Sequence, residues 1–119
     1  MAGGPLDGNA LLLAAAKASV SGERLPDLAD RAQGLLGPRL PEYGRRYERA
    51  HDDESQAAFF VESDHWAALG EEMDLEEHEW KGLRRAHAEH LQRIGGDIDR
   101  RREFETALEL REAVVVGKA

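Results

Sequence analysis

A stripe of large side chains in residues 80–94 constrains this chain more than any other feature. Trp80, Leu83, His87, Leu91 and Ile94 recur three or four residues apart and draw one helical face over about four turns. A helix of that length must bury its inner face along its whole run, so the rest of the chain has to supply the surfaces it packs on. The pair "GG" at 95–96 is expected to end it.

Those surfaces are lean. Leu, Ile, Val and Phe total 25 of 119 residues, just above the fraction, roughly 20%, below which chains stay disordered. Eighteen alanines favour helix and close packing of small side chains. The length suits one domain over 1–119, and a second would lack residues for its own core. A core this small gains from further burial, so a homo-oligomer is expected.

Periodicity divides the chain. Residues 1–8, rich in Gly and carrying Pro5, are expected to be a flexible start, and 9–36 a helical hairpin broken at "SGERLP" and stopped by Gly37 and Pro38. "PRLPEYG" is read as unable to continue a helix. Residues 43–62 form the expected β-hairpin. Tyr43, Arg45, Tyr47, Arg49 and His51 alternate with period two, "AAFFVE" is a second strand-like run, and "DDESQ" is the loop, without the usual Asn-Gly turn signal. A continuous charged helix over 45–56 is the competing reading.

Residues 64–113 read as helical. Ser63 or Asp64 caps a helix with Trp66, Leu69 and Met73, and Asp74 with Glu77 has capping-box spacing for the next. Asp97 caps a last helix with Phe104, Ala107, Leu108 and Leu110 inward, while "VVV" at 114–116 either extends it or becomes an edge strand. The expected fold is α+β and mainly helical, with about five helices, the hairpin mid-chain and a tight helix pair after it. The helices cover one face of the small sheet. Tyr47, Phe59, Phe60, Trp66, Trp80, Leu83, His87, Leu91 and Phe104 are its expected core or interface residues.

Gly70, Met73, Leu75 and Trp80 have the spacing of a small residue followed three, five and ten positions later by apolar ones, with Leu83 a turn further on. This resembles the helix-turn-helix pattern over about a sixth of the chain, and any two helices joined by a tight turn need much the same residues. The turn position usually held by Gly is Asp74 here. The first turn of the second helix carries Glu76, Glu77, His78 and Glu79, where a DNA reader places groups that bind bases and phosphates. Carboxylates there suit the helix's own N-terminus.

Charge points the same way. The net charge of -8 opposes approach to phosphates or anionic lipid, though molar salt, with screening over about 3 Å, would remove that objection. The acidic, Arg-dominated balance resembles that of halophilic proteins, and a high-GC genome explains the Arg and Ala equally well. In a winged arrangement the nucleic-acid contacts would be Arg45, Arg46, Arg49, Arg84, Arg85, Arg100, Arg101 and Arg102.

No cysteine is present, which excludes disulfides, thiolate metal sites and a cysteine nucleophile. His87 and His90 are the candidate metal pair, weaker than a reading of both as core or interface histidines. Glu48 with His51 and Glu62 with His65 repeat a Glu-x-x-His spacing, but a hairpin would point residues three apart to opposite faces. Phosphate-binding glycine loops and a serine elbow are missing, so no catalytic residue and no cofactor is expected. The run "ALLLAAAKASV" at 10–20 carries Lys17 and is too short for a bilayer of about 30 Å, and the first nine residues lack a basic leader. The expected protein is a non-catalytic cytoplasmic interaction or regulatory module, self-associating, with an unidentified protein partner and no membrane contact. A winged helix-turn-helix-like DNA-binding regulator working at high salt is the second choice.

Overall fold

The structure, a computed structural model, describes residues 24–118 together with Leu6, Leu11, Ala14, Ala15 and Val20. The expected flexible start and most of the first helix lie outside the described residues. Leu11, Ala14 and Ala15 are helical, and Ala14, Ala15 and Val20 are buried in the core.

α1 (Arg24–Leu36) buries Leu25, Leu28, Ala29, Ala32 and Leu36, the three-and-four spacing that a one-sided helix requires. Pro26 stands in its first turn, where a missing N–H costs nothing. A 3-10 turn, Gly37–Arg39, leads into α2 (Leu40–Arg46). The expectation that "PRLPEYG" cannot be helical is therefore corrected. Pro41 lies in the first turn of α2, so Tyr43 is buried on a helix and the backbone becomes extended only at Tyr47.

The hairpin accordingly begins at residue 48 instead of 43. β1 (Glu48–Asp52) pairs antiparallel with β2 (Gln56–Val61), and a bulge separates Arg49 from His51. The turn signal missing from the sequence is supplied by Asp53, whose Oδ1 accepts the N–H groups of Ser55 (2.8 Å) and Gln56 (2.9 Å). His51 and these donors hold its carboxyl well below the usual carboxylate range.

α3 (His65–Glu72), α4 (Glu77–Asp97) and α5 (Arg101–Leu108) follow, and the chain ends in β3 (Glu112–Gly117). The valine run is thus a strand. It pairs antiparallel with β2, Gln56 opposite Gly117 and Val61 opposite Glu112, and gives a sheet ordered β1-β2-β3. Gly95 and Gly96 do not stop α4. A Cβ on Gly95 would stand 2.7 Å from the Phe104 ring, so this glycine lets α5 approach, and the chain turns at Asp99 (φ 60°).

Helices cover both faces of the sheet, not one. Ala57, Phe59, Val61, Val114 and Val116 face a core shared with α1, Trp66 and Leu83. Ala58, Phe60, Ala113 and Val115 face a second, with Leu91, Ile94 and Phe104. The long stripe explains how: α4 gives its N-terminal half to one core and its C-terminal half to the other as it passes β3.

That passage closes the β3 edge. Trp66 Nε1 donates to the Ala113 carbonyl (2.8 Å), and the Val115 N–H donates to His87 Nδ1 (2.9 Å). Gln33 Nε2 donates to the Val115 carbonyl while its Oε1 accepts the Gly117 N–H, both at 2.8 Å. Three side chains thus occupy the place of a fourth strand, which blocks edge-to-edge pairing.

Candidate interaction site

The helix-turn-helix-like spacing becomes a close contact between α3 and α4. A Cβ on Gly70 would lie 2.3 Å from Trp80 Cδ1, so only glycine admits the ring there. Asp74 takes the left-handed turn conformation at φ 59°. Met73, Leu75 and Trp80 pack against the first core.

The glutamates after the turn have work within the fold. Glu76, not Asp74, is the N-cap of α4, and it forms a reciprocal capping box with Glu79. Glu79 also accepts from Arg24 Nε at 3.0 Å, tying α4 to α1. The Glu76 N–H, and then Arg24, hold the Glu79 carboxyl below the usual range.

The outer face of α4 forms the floor of an open groove of about 760 Å³, with residues 108–113 as its opposite wall. Glu77, Lys81, Arg85, Ala88 and Gln92 lie along the floor. The wall is anchored on both sides. Glu112 accepts the N–H groups of Trp66 (2.8 Å) and Asp64 (3.2 Å) at the start of α3, and Arg84 approaches it at 3.8 Å. Arg111 donates to Glu48 at 2.6 Å and lies over the Phe60 ring. Leu110 projects from this wall with 82% of its surface exposed. Its expected inward position is corrected: α5 ends at Leu108, and the N–H groups of Leu110 and Arg111 both bond to the Ala107 carbonyl in a turn.

Each groove cation has a carboxylate beside it. Lys81 lies 3.2 Å from Glu77 and Arg85 lies 4.0 Å from Glu89, in addition to the Arg84 and Arg111 pairs. The other arginines singled out in the sequence are dispersed. Arg45 and Arg46 sit at the end of α2 instead of on the hairpin, with Arg46 3.1 Å from Glu42. Arg49 pairs with Asp52 (3.3 Å), and Arg100 reaches the neighbouring Ala50 carbonyl (3.4 Å) while pairing with Glu103 (3.1 Å). Arg101 pairs with Glu105, and Arg102 is exposed on α5. Of the arginines singled out in the sequence, Arg84 and Arg85 join the groove.

The two candidate ligand histidines are part of the interior. His87 is fully buried, its Nδ1 is taken by the Val115 N–H, and its ring centroid is 4.5 Å from that of Trp66. Burial, then the neighbouring His90, pushes its pKa down to about 3. His90 Nε2 lies 2.8 Å from Gln56 Oε1. Glu62 and His65 do approach, at 3.5 Å, because Asp64 (φ 77°) turns the chain between them, and His65 Nε2 is 2.6 Å from the Tyr43 hydroxyl. Glu48 and His51 go to separate partners, Arg111 and Asp53. Among the described residues no group of three or more His, Asp or Glu could hold a metal ion.

Of the expected core, Phe59, Phe60, Trp66, Leu83, Leu91 and Phe104 are buried, while Tyr47 and Trp80 are half-buried against the first cluster. Leu110, Arg111 and Glu112, which shape the groove wall, were not distinguishable in the sequence as a site. Their only signal is a charged run between a helical and a β-branched stretch.

A family model described as a domain of unknown function, DUF8048, matches residues 4–118. The chain belongs to the DUF8048 family. The match takes in both cores, the groove and the α3–α4 pair, so the DUF8048 domain includes all the elements described above. No curated protein and no solved structure matches the chain. Among the described residues of this DUF8048 chain, no helix is long and apolar enough to cross a membrane.

Proposed function

We propose that this protein is a non-catalytic interaction or regulatory module of the cytoplasm that self-associates through the α4 groove. The observation that carries this reading is Leu110, 82% exposed on a wall that Glu112 and Arg111 anchor firmly. Covering such a side chain contributes about 1.5–3 kcal/mol, and a wall already fixed loses little entropy when it is covered. Neighbouring charges of both signs suit the rim of a protein contact. The DNA-binding alternative has less support, because it needs guanidinium groups gathered on one face. Those of Arg46, Arg49, Arg100 and Arg101 are each paired with a carboxylate, Glu42 on α2, Asp52 on β1, and Glu103 and Glu105 on α5.

Sedimentation velocity from micromolar to millimolar protein tests the reading. The mass is expected to rise with concentration, and Leu110→Glu is expected to weaken association roughly tenfold to a hundredfold with an unchanged far-ultraviolet dichroism spectrum. A wild-type chain that sediments as a monomer throughout would remove self-association.

A further inference from the structure

The outer face of α4 carries its charges in an order that distinguishes two ways of meeting a copy of itself. Lys81, Arg85 and Glu89 follow one another at intervals of four residues and all line the groove, so they form one short row on the outer surface of the helix. A parallel pair would set every charge of this row against its own kind. In an antiparallel pair centred on Arg85, Lys81 meets the Glu89 position, twice by symmetry. His78 then faces Gln92, another groove-lining residue. The like pair that remains is Arg85 with its copy, and each of these has its own Glu89 at 4.0 Å.

We propose, resting on the self-association reading, that two copies pair through antiparallel α4 helices about a twofold axis at Arg85, with Leu110 of each closing over the other. A second copy fits because the patch that offers the leucine also contains the groove that receives it, which a twofold contact requires. The floor also has a low point at Ala88, one turn from the axis residue, where the second helix can approach.

The chain contains no cysteine, so single introduced thiols report the register without background. Helices in contact lie about 8–10 Å apart, which brings facing positions on the axis within disulfide reach. Positions eight residues from the axis would be about 24 Å apart. Arg85→Cys and Glu77→Cys replace exposed side chains. Under mild oxidation in the full chain, Arg85→Cys is expected to form covalent dimer about tenfold faster than Glu77→Cys at equal concentration, reflecting the effective concentration within the pair. Adding Leu110→Glu should reduce the Arg85→Cys rate to the Glu77→Cys rate. Equal rates, or a faster Glu77→Cys, in a chain that sediments as a dimer would overturn the antiparallel register and leave self-association standing. A chain that is monomeric by sedimentation would overturn both.

Discussion

His87 shows how one residue can join the two halves of the structure. It lies on α4 where that helix passes from one core to the other, and its Nδ1 takes a backbone N–H from the middle of β3. The bond requires the neutral ring. Burial lowers the folded pKa to about 3 from the ordinary 6.5, so below pH 6.5 the unfolded chain binds a proton that the folded chain refuses. Stability contributed by His87 is therefore complete above pH 6.5 and declines as the pH falls toward 3. From this group alone, urea unfolding should give a free energy about 2 kcal/mol lower at pH 5 than at pH 7. His87→Asn places an amide oxygen near Nδ1 without a titrating group, and should abolish most of that difference. An equal loss in both proteins would assign the pH dependence elsewhere.

At the scale of elements, the edge of β3 depends on side chains that are distant in sequence. Gln33 serves two of its backbone groups at once, and Gln33→Ala would leave the Val115 carbonyl and the Gly117 N–H without those partners. The expected loss is about 1–3 kcal/mol, with faster hydrogen exchange at the Gly117 amide and little change at the amides β3 donates to β2. Uniform exchange across β3 would show that the edge bonds carry no local stability. This dependence also marks what the sequence made legible. The α4 stripe and the Gly70–Trp80 spacing are local patterns, and each appears in the structure at or near its expected place, whereas the two-residue period over 43–51 runs through the end of α2 and across the β1 bulge, so the hairpin is where the sequence puts it only from residue 48 onward. Pro41 reads as a helix breaker because the sequence alone does not reveal whether a proline falls in a first turn or an interior. The valine run stayed ambiguous because strand and helix differ there only in what Gln56 to Val61 offer opposite it, which is set by topology. The site was the least legible part. Leu110 has an apolar residue's usual inward expectation, and only the end of α5 at Leu108 turns it to solvent.

Across the whole molecule, the consequence of two cores is that neither can be independent of the sheet between them. Phe59 and Phe60 are adjacent residues that enter opposite cores, and the same two strands, β2 and β3, line both. Each phenylalanine is buried, so replacing either with alanine should cost about 3–5 kcal/mol. The informative quantity is where the loss is read. Trp66 belongs to the first core and Trp80 packs against it, so tryptophan fluorescence reports that side, whereas far-ultraviolet dichroism reports helices on both. If α4 and β3 bind the cores into one cooperative unit, Phe60→Ala should shift the fluorescence and dichroism transitions to the same lower denaturant midpoint. A fluorescence midpoint unmoved by Phe60→Ala, with dichroism lost earlier, would show that the second core unfolds alone. α4 would then be a helix with one firm half and one labile half, and the proposed α4 contact between copies would stabilise the second core as well as join two chains.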